Sequence, residues 1–254
     1  MISNTLEREN NIPWNQARDW ILAEQAHWVA IDKPSGVLSV PDRFGKEESL
    51  KSWLIKEYGS IYPVHRIDRD TSGLILFART PEAQKALSAQ FEQRETVKIY
   101  LGIVGGCPSE TTGSIESPIA EHPAKNGTMI IHRNGKQAHT EYTVIDCFPG
   151  YALLQFRILT GRTHQIRIHA RELGHPVVCD PIYGDGQPFL LSSLKKKFHL
   201  SKKEESERPL LGRLGLHAHQ LHFRDMDGAV VQLEAPLHRD MRAMLQQLRK
   251  LRGH

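Results

Sequence analysis

Residues 64–78 read V-H-R-I-D-R-D-T-S-G-L-I-L-F-A, and this stretch decides the fold. A polar run holding His65, Arg66, Asp68, Arg69 and Asp70 ends at Thr71-Ser72-Gly73, and apolar Leu74, Ile75, Leu76, Phe77 and Ala78 follow with no linker between. The switch predicts a loop feeding a strand buried on both faces. Loops held by a rigid strand are where reactive groups tend to sit, and an aspartate flanked by arginines stays ionised and orientable. Asp68 is the first candidate for a reacting carboxylate. The competing reading is an arginine-aspartate network that pins a turn, because structural ion pairs hold carboxylates in the same way.

Upstream, W-V-A-I at residues 28–31 reads as a short strand, D-K-P-S-G as a turn, and residues 37–40 as a resumed strand. Ser49 is placed to cap a helix whose apolar residues Leu50, Trp53, Leu54 and Tyr58 recur at three and four. Downstream, Thr80-Pro81-Glu82 opens a second helix with a hydroxyl cap, a proline at the first position and an acid near the positive dipole end. Residues 98–104 read as a strand. Asn134-Gly135 is a hairpin signal between T-M-I-I-H-R and Q-A-H-T-E-Y-T-V-I, and residues 151–159 form a further strand after Pro149-Gly150. The basic segment T-G-R-T-H-Q-I-R-I-H-A-R-E-L-G-H, residues 160–175, predicts a tight turn into a helix capped by Thr163 and closed by Gly174. A last hairpin turns at Asp227-Gly228, and a C-terminal helix carries Leu237, Met241, Met244, Leu245, Leu248 and Leu251 on one face. Short strands joined by tight turns and separated by helices give an α+β protein, with a mixed, mainly antiparallel central sheet flanked by helices and loops. Residues 1–20 are expected to form a surface arm and residues 21–254 one domain, with a charge-dense exposed insertion at 190–209.

The 254 residues suffice for a sizeable core, and nothing in a composition that is 39% hydrophobic and 24% charged argues for disorder. No apolar run approaches the roughly twenty residues of a membrane helix, and M-I-S-N-T-L-E-R lacks the layout of a signal peptide. A cytoplasmic location is therefore expected. Cys107, Cys147 and Cys179 lie far apart with no C-x-x-C, which suggests neither a disulfide framework nor a cysteine zinc site. The net charge of +4, with 14 histidines that gain charge below neutral pH, suits a polyanionic partner such as nucleic acid.

Several motifs compete for the chemistry. His164, His169 and His175, then His217, His219 and His222, form clusters, and His217 and His219 would share one face of a strand as zinc ligands can, yet that second cluster holds no cysteine or carboxylate, so no metal is expected and local hydrogen bonding is the simpler use. H-R-I-D is similar to the kinase H-R-D loop, but no G-x-G-x-x-G precedes it and no D-F-G follows. Ser72 stands outside any G-x-S-x-G elbow. What remains is a carboxylate in an arginine-rich setting and a second basic segment with Arg162 and Arg167. A guanidinium holds a carboxylate by two parallel hydrogen bonds, and a lone oriented carboxylate serves as nucleophile or stabiliser at glycosidic carbons.

In chain order, the sequence carries D-K-P-S-G-V-L-S-V-P at 32–41, H-R-I-D-R-D-T-S-G-L-I-L-F-A, K-I-Y at 98–100, G-K-Q-A-H-T-E-Y at 135–142 and T-G-R-T-H-Q-I-R-I-H at 160–169. G-H-P-V-V-C-D-P-I-Y-G at 174–184 and R-L-G-L-H-A-H-Q-L-H-F at 213–223 complete the set. With these strings it resembles the RluA family of RNA pseudouridine synthases over most of its length. The resemblance implies that Asp68 is the essential aspartate, Tyr100 the ring that stacks on the target uracil, and Arg167 the arginine that pairs with the aspartate. It implies substrate contacts at Arg66, His65, Arg162 and Ile166. Leu101 departs from the alanine common among relatives, which would tighten the pocket edge.

The function so implied is conversion of specific uridines to pseudouridine in ribosomal or transfer RNA. No atom is gained or lost, so no cofactor is required. The expected partner is a structured RNA stem-loop, bound by a monomer without a membrane. Many relatives carry an extra small RNA-binding domain that about twenty residues ahead of Ile21 are too few to form, which leaves RNA selection to the catalytic domain, the insertion and the basic C-terminal helix. Two alternatives stand beside this reading: a non-catalytic RNA-binding or ribosome-assembly factor on the same fold, and a histidine-metal hydrolase.

Overall fold

The structure is a computed structural model that describes residues 12–42, 45, 47–194 and 206–252. Its strands in chain order are β1 (Ile21–Glu24), β2 (Trp28–Lys33), β3 (Tyr62–Pro63), β4 (Ser72–Ala78), β5 (Val97–Gly105), β6 (Thr112–Ile115), β7 (Ile119–Glu121), β8 (Met129–Ile131), β9 (Thr140–Phe148), β10 (Tyr151–Ile158), β11 (Leu216–Arg224) and β12 (Val230–Glu234). Its α-helices are α1 (Leu50–Tyr58), α2 (Pro81–Glu92), α3 (Gln165–Glu172) and α4 (Arg239–Arg252). The chain divides into two compact units, Met1–Val97 with Ala218–Pro236, and Lys98–His217 with Leu237–His254. The arm expected at 1–20 is described from residue 12, with a 3-10 turn over Trp14–Trp20, and most of the charge-dense stretch at 190–209 lies outside the described residues.

In the first unit the strands run β1-β2-β4-β11, with β3 also on β4 and β12 on β11. β2 and β4 are antiparallel, pairing Trp28 with Ala78 and Lys33 with Gly73. Every residue of β4 is buried, as a strand covered on both faces requires. Gly73 has a φ of +102°, and a Cβ there would collide with the backbone of Ala218, so only glycine lets β4 lie this close to β11. Ser49 caps α1 by accepting from Ser52 N–H, and Thr80 caps α2 by accepting from Ala83 N–H at 3.1 Å, with Pro81 at the first helical position. Residues 37–40, expected as a strand, make a single bridge from Leu38 to Ser49. Leu38 O and Ser39 O accept instead from Leu50 and Lys51 N–H at the start of α1, Val37 O accepts from Lys33, and the Ser39 hydroxyl bonds to Ile67 of the Asp68 loop.

In the second unit the order is β5-β10-β9-β6, all antiparallel, with β7 and β8 as a separate two-stranded ribbon. Alternation along β5 divides its side chains between two clusters. Val104 joins Phe156, Leu154, Ile166 and Ala170, with Tyr100 packed against them, while Leu101 and Ile103 join Met241, Met244, Leu245 and Leu248 of α4. The hairpin expected about Asn134-Gly135 is a correction: β8 pairs with β7, placing Ile131 opposite Ile119, and β9 pairs with β10 and β6. Gly135 serves close approach, since a Cβ on it would come within 2.6 Å of the Ile119 carbonyl carbon.

A second correction concerns the cysteines. Cys107 and Cys147 are joined as a disulfide, with Cα atoms 5.9 Å apart, while Cys179 is free and buried. Tyr151 of β10 lies opposite both Gly105 and Phe148, and Gly106 N–H donates to Gly150 O, which folds the chain after β5 over the β9–β10 turn. Sequence spacing of 40 residues conceals this meeting. Among the described residues no helix is long and apolar enough to cross a membrane.

Candidate active site

The candidate residues fall into two sets, His65, Arg66 and Asp68 in the first unit and Tyr100, Arg162, Ile166 and Arg167 in the second. In the first unit Asp68 is half-buried on the loop between β3 and β4, and D-K-P-S-G-V-L-S is a cradle for that loop rather than only a turn. Lys33 is fully buried, and its Nζ donates to the carbonyls of Pro34 at 3.0 Å, Val37 at 2.8 Å and Arg69 at 2.9 Å. An ammonium has three donors, and three carbonyls offset the cost of its burial. Ser35 Oγ donates to Asp70 O at 2.6 Å and Ser39 Oγ to Ile67 O at 2.7 Å. The carbonyls on both sides of Asp68 are therefore held, which fixes the direction in which its side chain leaves the backbone.

Two neighbours of Asp68 act differently from a flanking arginine pair. Arg69 sends its Nε to Gly36 O at 3.0 Å and its fork to Glu47, fastening the loop to the cradle. Arg66 is exposed. His65 accepts from Leu76 N–H at 3.0 Å through Nε2 and stacks on Phe91 with ring centroids 4.5 Å apart, tying the loop to β4 and α2.

In the second unit Tyr100 lies on β5 opposite Phe156 of β10, half-buried against the cluster that includes Ile166. α3 carries Ile166 and Arg167, both buried. The cap expected from Thr163 is absent: His164 stands at the helix start with a φ of 54° and makes no side-chain cap bond. Gln165, the first residue of the helix, fastens the turn before it. Its Oε1 accepts from Arg162 N–H at 3.0 Å and Thr160 Oγ1 at 2.7 Å, and its Nε2 donates to His139 O at 3.0 Å and Thr140 Oγ1 at 2.9 Å. Gly174, with a φ of +85°, closes the helix as expected, because its N–H reaches Arg171 O and His175 N–H reaches Ala170 O.

His169 continues this network. Its Nε2 lies 3.0 Å from Ser117 O, an acceptor, so Nε2 carries the proton and Nδ1 accepts from Thr140 Oγ1 at 2.9 Å. Burial lowers its pKa below 6.5, so the ring is neutral. Arg162 sends Nε to Gln137 O at 3.0 Å and lines a cavity of about 500 Å³ with Ile119, Lys136 and Thr163. G-K-Q-A-H-T-E-Y and T-G-R-T-H-Q-I-R-I-H are thus the two sides of one hydrogen-bonded assembly.

Arg167 is 1% exposed and Asp180 fully buried, and the two make a bidentate pair, Nε to Oδ2 at 2.8 Å and Nη2 to Oδ1 at 2.7 Å. Burial alone would raise the Asp180 pKa, yet the hydrogen bonds and charge of Arg167, with N–H groups from Ile182 and Tyr183, outweigh it and hold the carboxyl below its ordinary value. The Tyr183 ring lies 5.2 Å from the guanidinium carbon. Sequence reasoning passed over Asp180 and Tyr183, and weighed Lys33 only for its likeness to the strand lysine of kinases. The signal was their presence inside the quoted strings D-K-P-S-G and C-D-P-I-Y-G, where a buried charge needs a partner supplied from elsewhere in the chain.

Against known proteins, the pattern described as RNA pseudouridylate synthase matches residues 27–172, a range that holds all seven candidate residues. The chain is 37% identical over 238 residues to ribosomal large subunit pseudouridine synthase D of Nitrosomonas europaea, covering 91% of this chain and 65% of that protein. It is 36% identical over 218 residues to dual-specificity RNA pseudouridine synthase RluA of Vibrio vulnificus, covering 83% of this chain and 78% of that one. The solved structure of human RNA pseudouridylate synthase domain containing 4 is similar with a TM-score of 0.73 at 25% identity, over 93% of this chain and 95% of that chain. The chain spans about two thirds of the length of the D-type relative.

Proposed function

Since the chain belongs to the RluA family of RNA pseudouridine synthases, we propose that it isomerises uridine to pseudouridine in ribosomal or transfer RNA, with Asp68 as the essential carboxylate. The observation that carries this reading is the clamping of the loop carbonyls at Ile67, Arg69 and Asp70 by Ser39, Lys33 and Ser35, which spends a buried ammonium and two hydroxyls on orienting one half-buried aspartate. A turn that only reversed the chain would need no such investment of polar groups.

In the proposed reaction the target nucleotide leaves its stack, at a cost of a few kcal/mol, and Tyr100 recovers part of that by stacking on the uracil. Asp68 assists cleavage of the bond from ribose C1′ to uracil N1, the detached ring turns, and C5 rejoins C1′. The proton displaced from C5 leaves as N1 gains one, so atoms and electrons balance without a cofactor. Arg167 supplies a fixed positive charge for the anionic groups of the reaction, and Arg66, His65, Arg162 and Ile166 make the remaining substrate contacts. The protein acts as a cytoplasmic monomer on an RNA stem-loop.

The test is to incubate the protein with ribosomal and transfer RNA transcripts in parallel and digest them to nucleosides. Pseudouridine has the mass of uridine but separates from it by chromatography. Its appearance in one or both RNAs supports the reading and names the substrate class; its absence from both at enzyme excess contradicts it.

A further inference from the structure

We propose that Asp180 is a positioning residue for Arg167, fixing the guanidinium plane over the ring of Tyr183 before RNA arrives. The proposal rests on the functional reading above, in which Arg167 acts at the reaction, and adds a requirement to it.

The division of labour between the two carboxylate oxygens carries the argument. Oδ1 accepts from Ile182 N–H at 2.9 Å, Tyr183 N–H at 3.1 Å and Arg167 Nη2 at 2.7 Å, whereas Oδ2 accepts from Arg167 Nε at 2.8 Å. One oxygen therefore builds the turn and grips the arginine, and the other sets the rotation of the guanidinium about its long axis. The turn also sets Tyr183, whose hydroxyl lies 2.9 Å from His164 Nδ1 and accepts from Met129 N–H of β8 at 2.8 Å. Those bonds keep the tyrosine ring from turning away. Arg167 is thus held edgewise by a carboxylate and faced by an aromatic ring, the two modes of contact that suit a planar guanidinium. A bidentate buried pair is weak evidence for stability, because apolar side chains of equal volume often serve as well. It is stronger evidence for geometry, since a displacement of about 1 Å in a reacting group costs roughly 10²-fold in rate.

The two oxygens define a selective lesion. In Asp180→Asn the amide oxygen keeps the turn, while the amide nitrogen faces Arg167 Nε–H donor to donor. The expected result under single-turnover conditions is a fall of roughly 10²-fold in the rate at saturating RNA. The RNA concentration for half-saturation should stay within about twofold, because the loss is confined to the reacting geometry. Arg167→Lys removes the fork, so adding Asp180→Asn to it should lower the rate by less than about threefold if Asp180 acts only through Arg167. Multiplicative losses in the double variant, or weakened RNA binding at an unchanged rate, would overturn the proposal. Should Asp180→Asn fail to fold, the wild-type protein still decides. Its arginine side-chain NMR spectrum should show a slowly exchanging Nε–H resonance that disappears in Arg167→Lys, and no such resonance means no fixed guanidinium. If the wild type makes no pseudouridine, the functional reading fails, whereas the protected resonance still reports on the positioning alone.

Discussion

Single residues set the direction of the candidate side chains within each unit, and charge burial is the common means. Lys33 holds three carbonyls, so Lys33→Met strips partners from buried acceptors and should lower stability by about 2–3 kcal/mol in urea titration. An unchanged midpoint would show that water replaces the ammonium without loss. His169 gives a pH test. Its folded pKa lies below the unfolded value near 6.5, so the unfolded chain binds the extra proton first as pH falls. Its contribution is whole above pH 6.5 and is lost as pH drops towards the folded pKa. The unfolding free energy of the wild type minus that of His169→Gln should therefore shrink between pH 7 and 5, and a difference constant with pH would contradict a buried neutral ring. Asp68 stood out in the sequence because charge and apolar run meet there. Lys33 and Asp180 did not, because their meaning lies in partners distant along the chain, Arg69 for one and Arg167 for the other.

At the scale of elements, local chemistry was legible wherever the signal and its consequence lay within a few residues. Ser49, Thr80 and Gly174 do at their helix ends what a hydroxyl cap or a left-handed glycine does in isolation. Thr80→Ala should accordingly cost about 1 kcal/mol, read as a lower denaturation midpoint, without changing the rate on RNA at a temperature where both forms are folded. Loss of activity with stability intact would mean α2 does more than support the loop through Phe91. The misread elements each involve a longer-range competitor. Residues 37–40 have strand composition, but Ser39 and Val37 bond to the loop and to Lys33. Asn134-Gly135 carries hairpin residues, yet Ile119 takes Ile131 as its partner and the glycine lies against Ile119. Thr163 is a good cap by type, yet the helix starts after His164, and the side chain of Gln165 ties the preceding turn to His139 and Thr140 instead.

Over the whole molecule, the quoted strings are legible as a family pattern but not in their roles, because several of them bond to partners elsewhere along the chain, as Ser39 does to Ile67 and Gln165 to His139. The α+β class and the mainly antiparallel pairing follow from short strands and tight turns, whereas the division into two units and the cysteine meeting follow from how distant segments align. Thiol titration of denatured, unreduced protein should count one cysteine, Cys179, and a count of three would contradict the Cys107–Cys147 pairing. Native protein should show almost none, since Cys179 is buried and its thiol is pushed up to about 11 by that burial. The central claim is that Asp68 carries the chemistry. Its most direct test is tritium release from RNA labelled at uracil C5, measured for the wild type and Asp68→Asn with RNA binding followed alongside. The account predicts release by the wild type and none by the variant at equal binding; equal release by both would contradict it.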